Sequence, residues 1–324
     1  MRPPDPLAIA CAADYRYIQP LTVMLQSVLT NLSSDRTINV FLIDGGIDEA
    51  HRQELTRIWN PQRGQLHWLF PPTAWADGLP LWGRMPVTTY YKLLIADLLP
   101  RSFHRVIWLD CDLVVDRDLS HLWDTDLAGR HALAVPDRAI PLVSSRNGVA
   151  HYRQLAIREH AKYFNAGVMV VNLDLWRKEG VPARVLAYLR RYRDSVVFWD
   201  QEGLNAVLAD KWGELDPRWN VCVHTMAGDY PESPSTPDDR PWIVHFTGNL
   251  KPWIYPSNNP AHALYFQYLD LTAWAGWRPK SGPTRRLIRM YEWSGLRELL
   301  LPAEEWVMKL VRGLTRKYAS EGMR

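Results

Sequence analysis

Apolar residues fall in short runs divided by polar turns, and the runs alternate in kind along the chain. Leu7–Ala13 is continuously apolar and stops at Asp14, which predicts a buried strand; Leu21–Leu29 then spaces its apolar residues at helical intervals after Pro20. Ile38–Ile43 predicts a second strand, Gly45 and Gly46 its turn, Asp48–Trp59 a second helix and Leu66–Phe70 a third strand. The stretch Pro71–Pro86, rich in Pro, Gly and Trp, predicts a long surface loop, and Thr89–Leu99 resumes a helical pattern. Arg105–Leu109 has the near-continuous apolar character of a central parallel strand and runs directly into Asp110, Cys111 and Asp112. Further on, Val168–Leu173 and Trp242–Phe246 predict strands, and Val181–Tyr192, Gln201–Leu208 and Asn259–Trp274 predict helices.

Such alternation implies an α/β fold: an open mixed, mainly parallel sheet flanked by helices, with ligands beyond the carboxyl ends of the strands. Asp14 and the Asp110 pair both follow strand ends. Residues 1–278 are expected to form the main domain and 279–324 a basic amphipathic helical tail.

Composition narrows the classes. With 47% hydrophobic and 23% charged residues over 324 positions, the chain can bury a sizeable core, and general disorder is excluded. Most of the 16 tryptophans, among them Trp59, Trp123, Trp176 and Trp199, are expected in the core. A net charge of +3 gives no nucleic-acid footprint. Cys11, Cys111 and Cys222 have no paired spacing and are expected reduced and buried, which fits the cytosol. The amino terminus lacks the pattern of a secretory signal, and no run is apolar enough to cross a bilayer.

Two carboxylates on an extended strand end, Asp110 and Asp112, point to one face and suit a divalent cation that also holds phosphates. The same spacing recurs at Asp116 and Asp118 and at Asp124 and Asp126, but only the first pair follows a strongly apolar strand. His245 ends the run Trp242–Phe246 and is followed by Gly248 and Lys251. Its nitrogen could complete a metal shell, Gly248 could let backbone approach phosphates, and Lys251 could place positive charge on them. A turn, a buried histidine and a solvated lysine are the alternatives.

Six ordered blocks carry a resemblance: Ala12 to Tyr17, Val106 to Asp112, Tyr163 to Val168, Asn172 to Arg177, Asp200 to Asn205 and His245 to Trp253. Together the sequence resembles glycosyltransferase family 8, over about residues 7–275. The resemblance implies a GT-A fold and a retaining transfer of a hexose, glucose or galactose, from a UDP-sugar donor to a glycan or lipopolysaccharide-type acceptor. It implies Mn2+, with Mg2+ as the alternative. Ala12, Asp14 and Tyr17 would hold uridine, with Ala13 beside them. Asp110 and Asp112, with Cys111 between, and His245 would hold the metal and part of the donor. Gly248 and Lys251 would grip the diphosphate, and Asn165, Ala166, Gly167, Asp200 and Gln201 would line the sugar and the reaction centre. Gln201, Asp200 and Lys251 are the expected catalytic groups. One departure stands out: Lys92 occupies a position in the donor site where relatives commonly carry arginine, which removes a planar bidentate fork.

Three other readings share parts of this pattern: a nucleotidyltransferase or sugar-nucleotide hydrolase, a non-catalytic nucleotide-sugar-binding module, and, more distantly, a nucleic-acid binder. From Pro283 on, basic residues outnumber acidic ones while Leu, Trp and Val recur at helical intervals. That tail is expected to touch an anionic membrane from the cytoplasmic side; the alternative is that it covers the main domain or a second copy of the chain in a homo-oligomer.

Overall fold

The protein is described from a computed structural model. The structure describes residues 6–33, 35–72, 75–80, 86–223, 240–248, 251–254, 256 and 259–280. The tail from Pro283, Asn249 and Leu250 of the last sequence block, and parts of the loop 71–86 lie outside them. The described residues divide into two compact units. The first runs to Val221 and takes in the segment ending at His245; the second takes in Cys222 and Val223 and the residues from Phe246 onward.

In the first unit a seven-stranded sheet has the order β3-β2-β1-β4-β7-β6-β8. Its strands are β1 (Leu7–Ala13), β2 (Ile38–Asp44), β3 (Gly64–Leu69), β4 (Arg105–Leu109), β6 (Ala132–Pro136), β7 (Phe164–Asn172) and β8 (Trp212–Glu214). β1, β2, β3 and β4 are mutually parallel where they meet, β7 runs antiparallel to β4 and β6, and β8 is parallel to β6. The expected open, mixed, mainly parallel sheet is therefore present. A short strand β5 (Leu113–Val115) pairs antiparallel with β10 (Ile243–His245), apart from the main sheet; β9 is the two-residue Val221–Cys222.

All seven residues of β1 are buried, as a strand covered on both faces requires. Alternate residues, Ala8, Ala10 and Ala12 of β1, Phe41 and Ile43 of β2 and Val106 and Trp108 of β4, join one apolar cluster with side chains from the helices on that face. Those helices are α3 (Ile95–Leu98), α5 (Leu173–Lys178), α6 (Val181–Arg191) and α7 (Trp199–Leu208). α1 (Ile18–Asn31) and α2 (Glu49–Ile58) link the first three strands, and α4 is the single turn Ser120–Trp123. Asp48 caps α2 by accepting from the His51 N–H, as its place before the helix predicts.

Several expectations change in detail. Thr89–Leu99 is not one α-helix but a 3-10 helix, Val87–Leu94, that runs into α3; five consecutive side chains, Tyr90 to Leu94, are buried, so there is no single apolar stripe of the α type. The strand expected from Val168 begins four residues earlier, so Asn165, Ala166 and Gly167 lie inside β7, and Leu173 opens α5 under the cap of Asn172. Trp176 is fully buried and Trp59 nearly so, while Trp123 and Trp199 are half-buried. Of the three cysteines only Cys11 is buried; Cys111 and Cys222 are half-buried because both lie where strands end. Burial pushes the Cys11 thiol up to about 12, leaving it inert.

In the second unit α8 (Pro260–Leu269) is shorter than the expected Asn259–Trp274: Asn259 caps it, and Asp270 ends it by accepting from the Gly276 N–H and the Arg278 guanidinium.

Candidate active site

β1 and β4 are neighbours in the sheet, and the chain departs from β1 to β2 on one side while β4 gives way to β7 on the other. An open α/β sheet leaves a crevice at such a reversal, beyond the carboxyl ends of the strands. Asp14 follows β1 and Asp110 follows β4. In the antiparallel β7, Val168 lies opposite Leu109, so Asn165, Ala166 and Gly167 reach the same edge of the sheet.

Asp110 and Asp112 are not on an extended strand as expected; β4 stops at Leu109, and the chain bends at Cys111 and Asp112 before β5. The bend still brings both carboxylates to His245 at the end of β10. One donor atom from each of Asp110, Asp112 and His245 lies within 4.8 Å of the other two. His245 Nε2 is 3.2 Å from Asp112 Oδ1 and 3.9 Å from Asp110 Oδ2. The other oxygen of Asp110 accepts from the Trp108 indole at 2.7 Å and lies 3.2 Å from Lys92 Nζ, which fixes the carboxylate's rotation. Two hard oxygens and one imidazole nitrogen converging in this way fit a divalent cation such as Mn2+ or Mg2+, whose charge relieves the repulsion between the carboxylates.

Lys92 is buried and meets three acceptors: Asp200 Oδ2 at 2.7 Å, Asp110 Oδ1 at 3.2 Å and the Ala166 carbonyl at 3.2 Å. An ammonium has three protons, so this set matches its donors. Burial alone would lower its pKa, but the carboxylates of Asp110 and Asp200 reverse that and hold it above the ordinary lysine value. Asp200 is also buried, and burial raises its carboxyl against the opposing pull of Lys92. Lys92 thus orients Asp110 and Asp200 together.

Gln201, next on α7, is anchored at both ends. Its Oε1 accepts from the Ala166 N–H at 3.1 Å and its Nε2 donates to Asp137 Oδ2 at 3.0 Å. Asp137 also accepts from Asn165 Nδ2 at 3.3 Å and from the Ala139 and Ile140 N–H groups. The start of α7 is unusual: Trp199 has φ of +40°, costly for a bulky residue. The buried carboxylate of Glu202 holds this turn, accepting from the Val197 N–H at 2.7 Å and from the Tyr188 hydroxyl at 2.7 Å.

The family profile described as Glycosyl transferase family 8 matches residues 8–256. The chain belongs to glycosyltransferase family 8. General stress protein A of Bacillus subtilis (strain 168) is 31% identical over 288 residues, which cover 85% of this chain and 96% of that relative. Glycosyltransferase GlyA of Streptococcus pneumoniae serotype 4 is 27% identical over 76% of this chain, which spans only 32% of GlyA. Among solved structures, the galactosyltransferase LgtC in complex with donor and acceptor sugar analogs matches with a TM-score of 0.70 at 24% identity, over 86% of this chain and 99% of that one. That likeness gives the GT-A fold. Family and fold make this glycosyltransferase a catalytic one, and the Asp110, Asp112 and His245 cluster supports a metal-dependent UDP-sugar transferase.

Within the glycosyltransferase's first unit, the remaining sequence-predicted residues gather at the same edge. Ala12 and Ala13 end β1, and Asp14 caps the following 3-10 turn while pairing with the Arg16 guanidinium. Burial, then the charges of Asp112, Cys111 and Asp14, push the Tyr17 phenol up. Gly248 and Lys251 belong to the second unit. There Gly248 has φ of +78°, a conformation that favours glycine, and Lys251 is buried with Nζ donating to the Phe246 carbonyl.

Sequence reasoning missed Asp137, Asn220 and the anchoring role of Glu202. Asp137 had a signal: it ends the apolar run Ala132–Pro136 much as Asp14 and Asp110 end theirs. Asn220, whose Oδ1 lies 3.0 Å from His245 Nδ1, had none.

Proposed function

We propose that this protein is a retaining hexosyltransferase that moves glucose or galactose from a UDP-sugar to a hydroxyl of a glycan or lipopolysaccharide-type acceptor. The convergence of Asp110, Asp112 and His245 at the sheet edge that also carries Asp200 and Gln201 is the observation that carries this reading. The similarity to LgtC, a galactosyltransferase solved in complex with donor and acceptor sugar analogs, supports the choice of hexose. Bound at the three side chains, Mn2+ or Mg2+ would supply Lewis acidity to the diphosphate as negative charge builds on it.

The chain's own residues favour one route to retention. A covalent route needs a nucleophile with an uncommitted lone pair aimed at the sugar. Asp200 is paired with Lys92, Asp137 accepts from four N–H groups, and the Gln201 amide oxygen is neutral and bound to a backbone N–H. These commitments favour substitution on the same face of the sugar, with Gln201 and Asp137 holding the ring and the departing phosphate taking the acceptor's proton. Lys251 is assigned the diphosphate from its sequence block alone.

UDP release from a panel of UDP-hexoses, with and without a chelator and an acceptor, tests the reading. Acceptor-stimulated, chelator-sensitive release supports it, and the anomeric coupling of the product gives the stereochemistry. Release equally fast without acceptor marks a hydrolase instead, and transfer of the nucleotidyl group would also overturn it.

We further assign the enzyme to the cytoplasm, with the basic amphipathic tail visiting an anionic membrane where a lipid-linked acceptor resides. No helix among the described residues is long and apolar enough to cross a membrane. Full-length protein that sediments with anionic vesicles in a salt-sensitive way, when a chain truncated after Pro279 does not, supports this assignment. Equal behaviour of the two removes it.

A further inference from the structure

Hydrogen-bond polarity can be traced from two backbone N–H groups, whose role as donors is beyond choice, to the candidate metal ligand. The Gly167 N–H lies 3.0 Å from one side-chain atom of Asn165, which must therefore be its oxygen. The Asn165 amide nitrogen is then turned to Asp137 Oδ2, an acceptor, as it should be. At the far end the Ala166 N–H fixes the Gln201 oxygen, and the Gln201 nitrogen meets the same Asp137 oxygen. Asn220 approaches Asn165 Oδ1 at 2.9 Å and so must present its nitrogen there. Its oxygen is left facing His245 Nδ1 at 3.0 Å. An amide oxygen only accepts, so Nδ1 of His245 carries a proton, and Nε2, which faces Asp112 and Asp110, is the nitrogen left for a cation.

The frame around Asn220 is rigid. It ends a 3-10 turn, Pro217–Asn220, in which the Asp216 side chain accepts from the Arg218 N–H, and Trp219 packs edge-on to Trp242 with ring centroids 4.8 Å apart. Trp242, three residues before His245, in turn donates its backbone N–H to the Arg218 carbonyl. Asn165, Asn220 and His245 are all buried, so water does not compete for these bonds.

We propose that Asn220 is a positioning residue: with Asn165 it locks His245 in the tautomer whose Nε2 can bind a cation, and ties that ligand through Asn165 and Asp137 to Gln201. This rests on the reading that Asp110, Asp112 and His245 hold a divalent cation. Outer partners of a ligating histidine set its tautomer and ring orientation, and their loss weakens metal binding by about 10- to 100-fold.

Two measurements on the full chain, neither using donor turnover, test it. The first is Mn2+ affinity from the free-ion electron paramagnetic resonance signal, for wild type, Asn220→Leu and Asn220→Asp. Asn220→Leu removes the acceptor and should lose about 10- to 100-fold in affinity, while Asn220→Asp, which keeps an oxygen facing Nδ1 but loses the bond to Asn165 Oδ1, should lose less. Wild-type affinity in Asn220→Leu, or equal loss in both variants, overturns the proposal. The second is nitrogen-15 NMR of labelled histidine, in alkaline buffer with Mg2+ and after chelation, with His245→Ala identifying the resonance. A protonated Nδ1 in wild type is expected in both states; an unprotonated Nδ1 overturns the proposal even if Asn220→Leu fails to fold. Failure of wild type to bind Mn2+ would instead strike the metal reading, and the NMR result would still decide the tautomer.

Discussion

A single methyl group at position 167 should disable the metal site with all three candidate ligands left in the sequence. A Cβ built on Gly167 would lie 2.2 Å from His245 Cε1 and 2.7 Å from its Nδ1, whereas ordinary contact begins at 3.4 Å. The imidazole would have to retreat by about 1 Å in a close-packed interior. It cannot do so without leaving Asn220 Oδ1, 3.0 Å from Nδ1, and disturbing the 3.2 Å approach of Nε2 to Asp112. The backbone at Gly167 is not in the left-handed region, so alanine brings no backbone strain, only this overlap. Displacing a functional group by about 1 Å can cost about 100-fold in rate, equivalent to about 2.7 kcal/mol. The expected result for Gly167→Ala is that loss in kcat/KM with weakened Mn2+ binding, while circular dichroism shows a folded protein. A double-mutant cycle isolates the cause: once His245→Ala has removed the ring, Gly167→Ala should add almost nothing. If the two losses multiply instead, or if Gly167→Ala binds Mn2+ as wild type does, the contact between Gly167 and His245 does not control the site.

Asp110→Asn and Asp112→Asn should each lower turnover by about 100-fold or more with the fold retained, since each removes a charge facing the cation; wild-type turnover indifferent to a chelator would count against both. Asp137→Asn places an amide nitrogen among N–H donors, so Gln201 and Asn165 lose their shared anchor, and kcat should fall more than donor KM rises in steady-state assays. For Glu202, burial raises the folded carboxyl above its unfolded value, so wild type loses stability as pH rises from the ordinary carboxylate range through the folded pKa. Glu202→Gln does not titrate and should gain on wild type in urea unfolding as pH rises above the ordinary carboxylate range; a difference independent of pH would refute the burial argument. Glu202→Leu strands the Tyr188 hydroxyl and the Val197 N–H, at about 1–3 kcal/mol for each donor.

The central strands were legible because burial on both faces writes itself as unbroken apolar runs, as in Leu7–Ala13 and Arg105–Leu109. β8 and β5, three residues each, were not: such runs are too short for periodicity to register, and β8 earns its place by pairing with β6, which is distant in sequence. The 3-10 segment Val87–Leu94 failed for a different reason. Its residues are buried in succession because Tyr90 donates to the Pro80 carbonyl and Lys92 reaches Ala166, tertiary contacts that no local pattern encodes.

The site divides along the same line. Asp110 could be found because a charge directly after a buried strand is conspicuous, and Asp137 could have been found by the same test. The departure at Lys92 was visible as a changed residue, but its consequence was not. An arginine fork suggests contact with oxygens of the donor; the lysine instead spends its three protons on Asp110, Asp200 and Ala166 inside the protein. Asn165, Gly167 and Asn220 illustrate the deeper limit. Each is a common loop residue, and what makes them a device is a direction: donors and acceptors ordered from the Gly167 N–H through two amides to one ring nitrogen. Direction of that kind exists only after the fold has brought positions 165, 167, 220 and 245 together, so residue types alone could propose His245 as a ligand but could not say which of its nitrogens would face the metal.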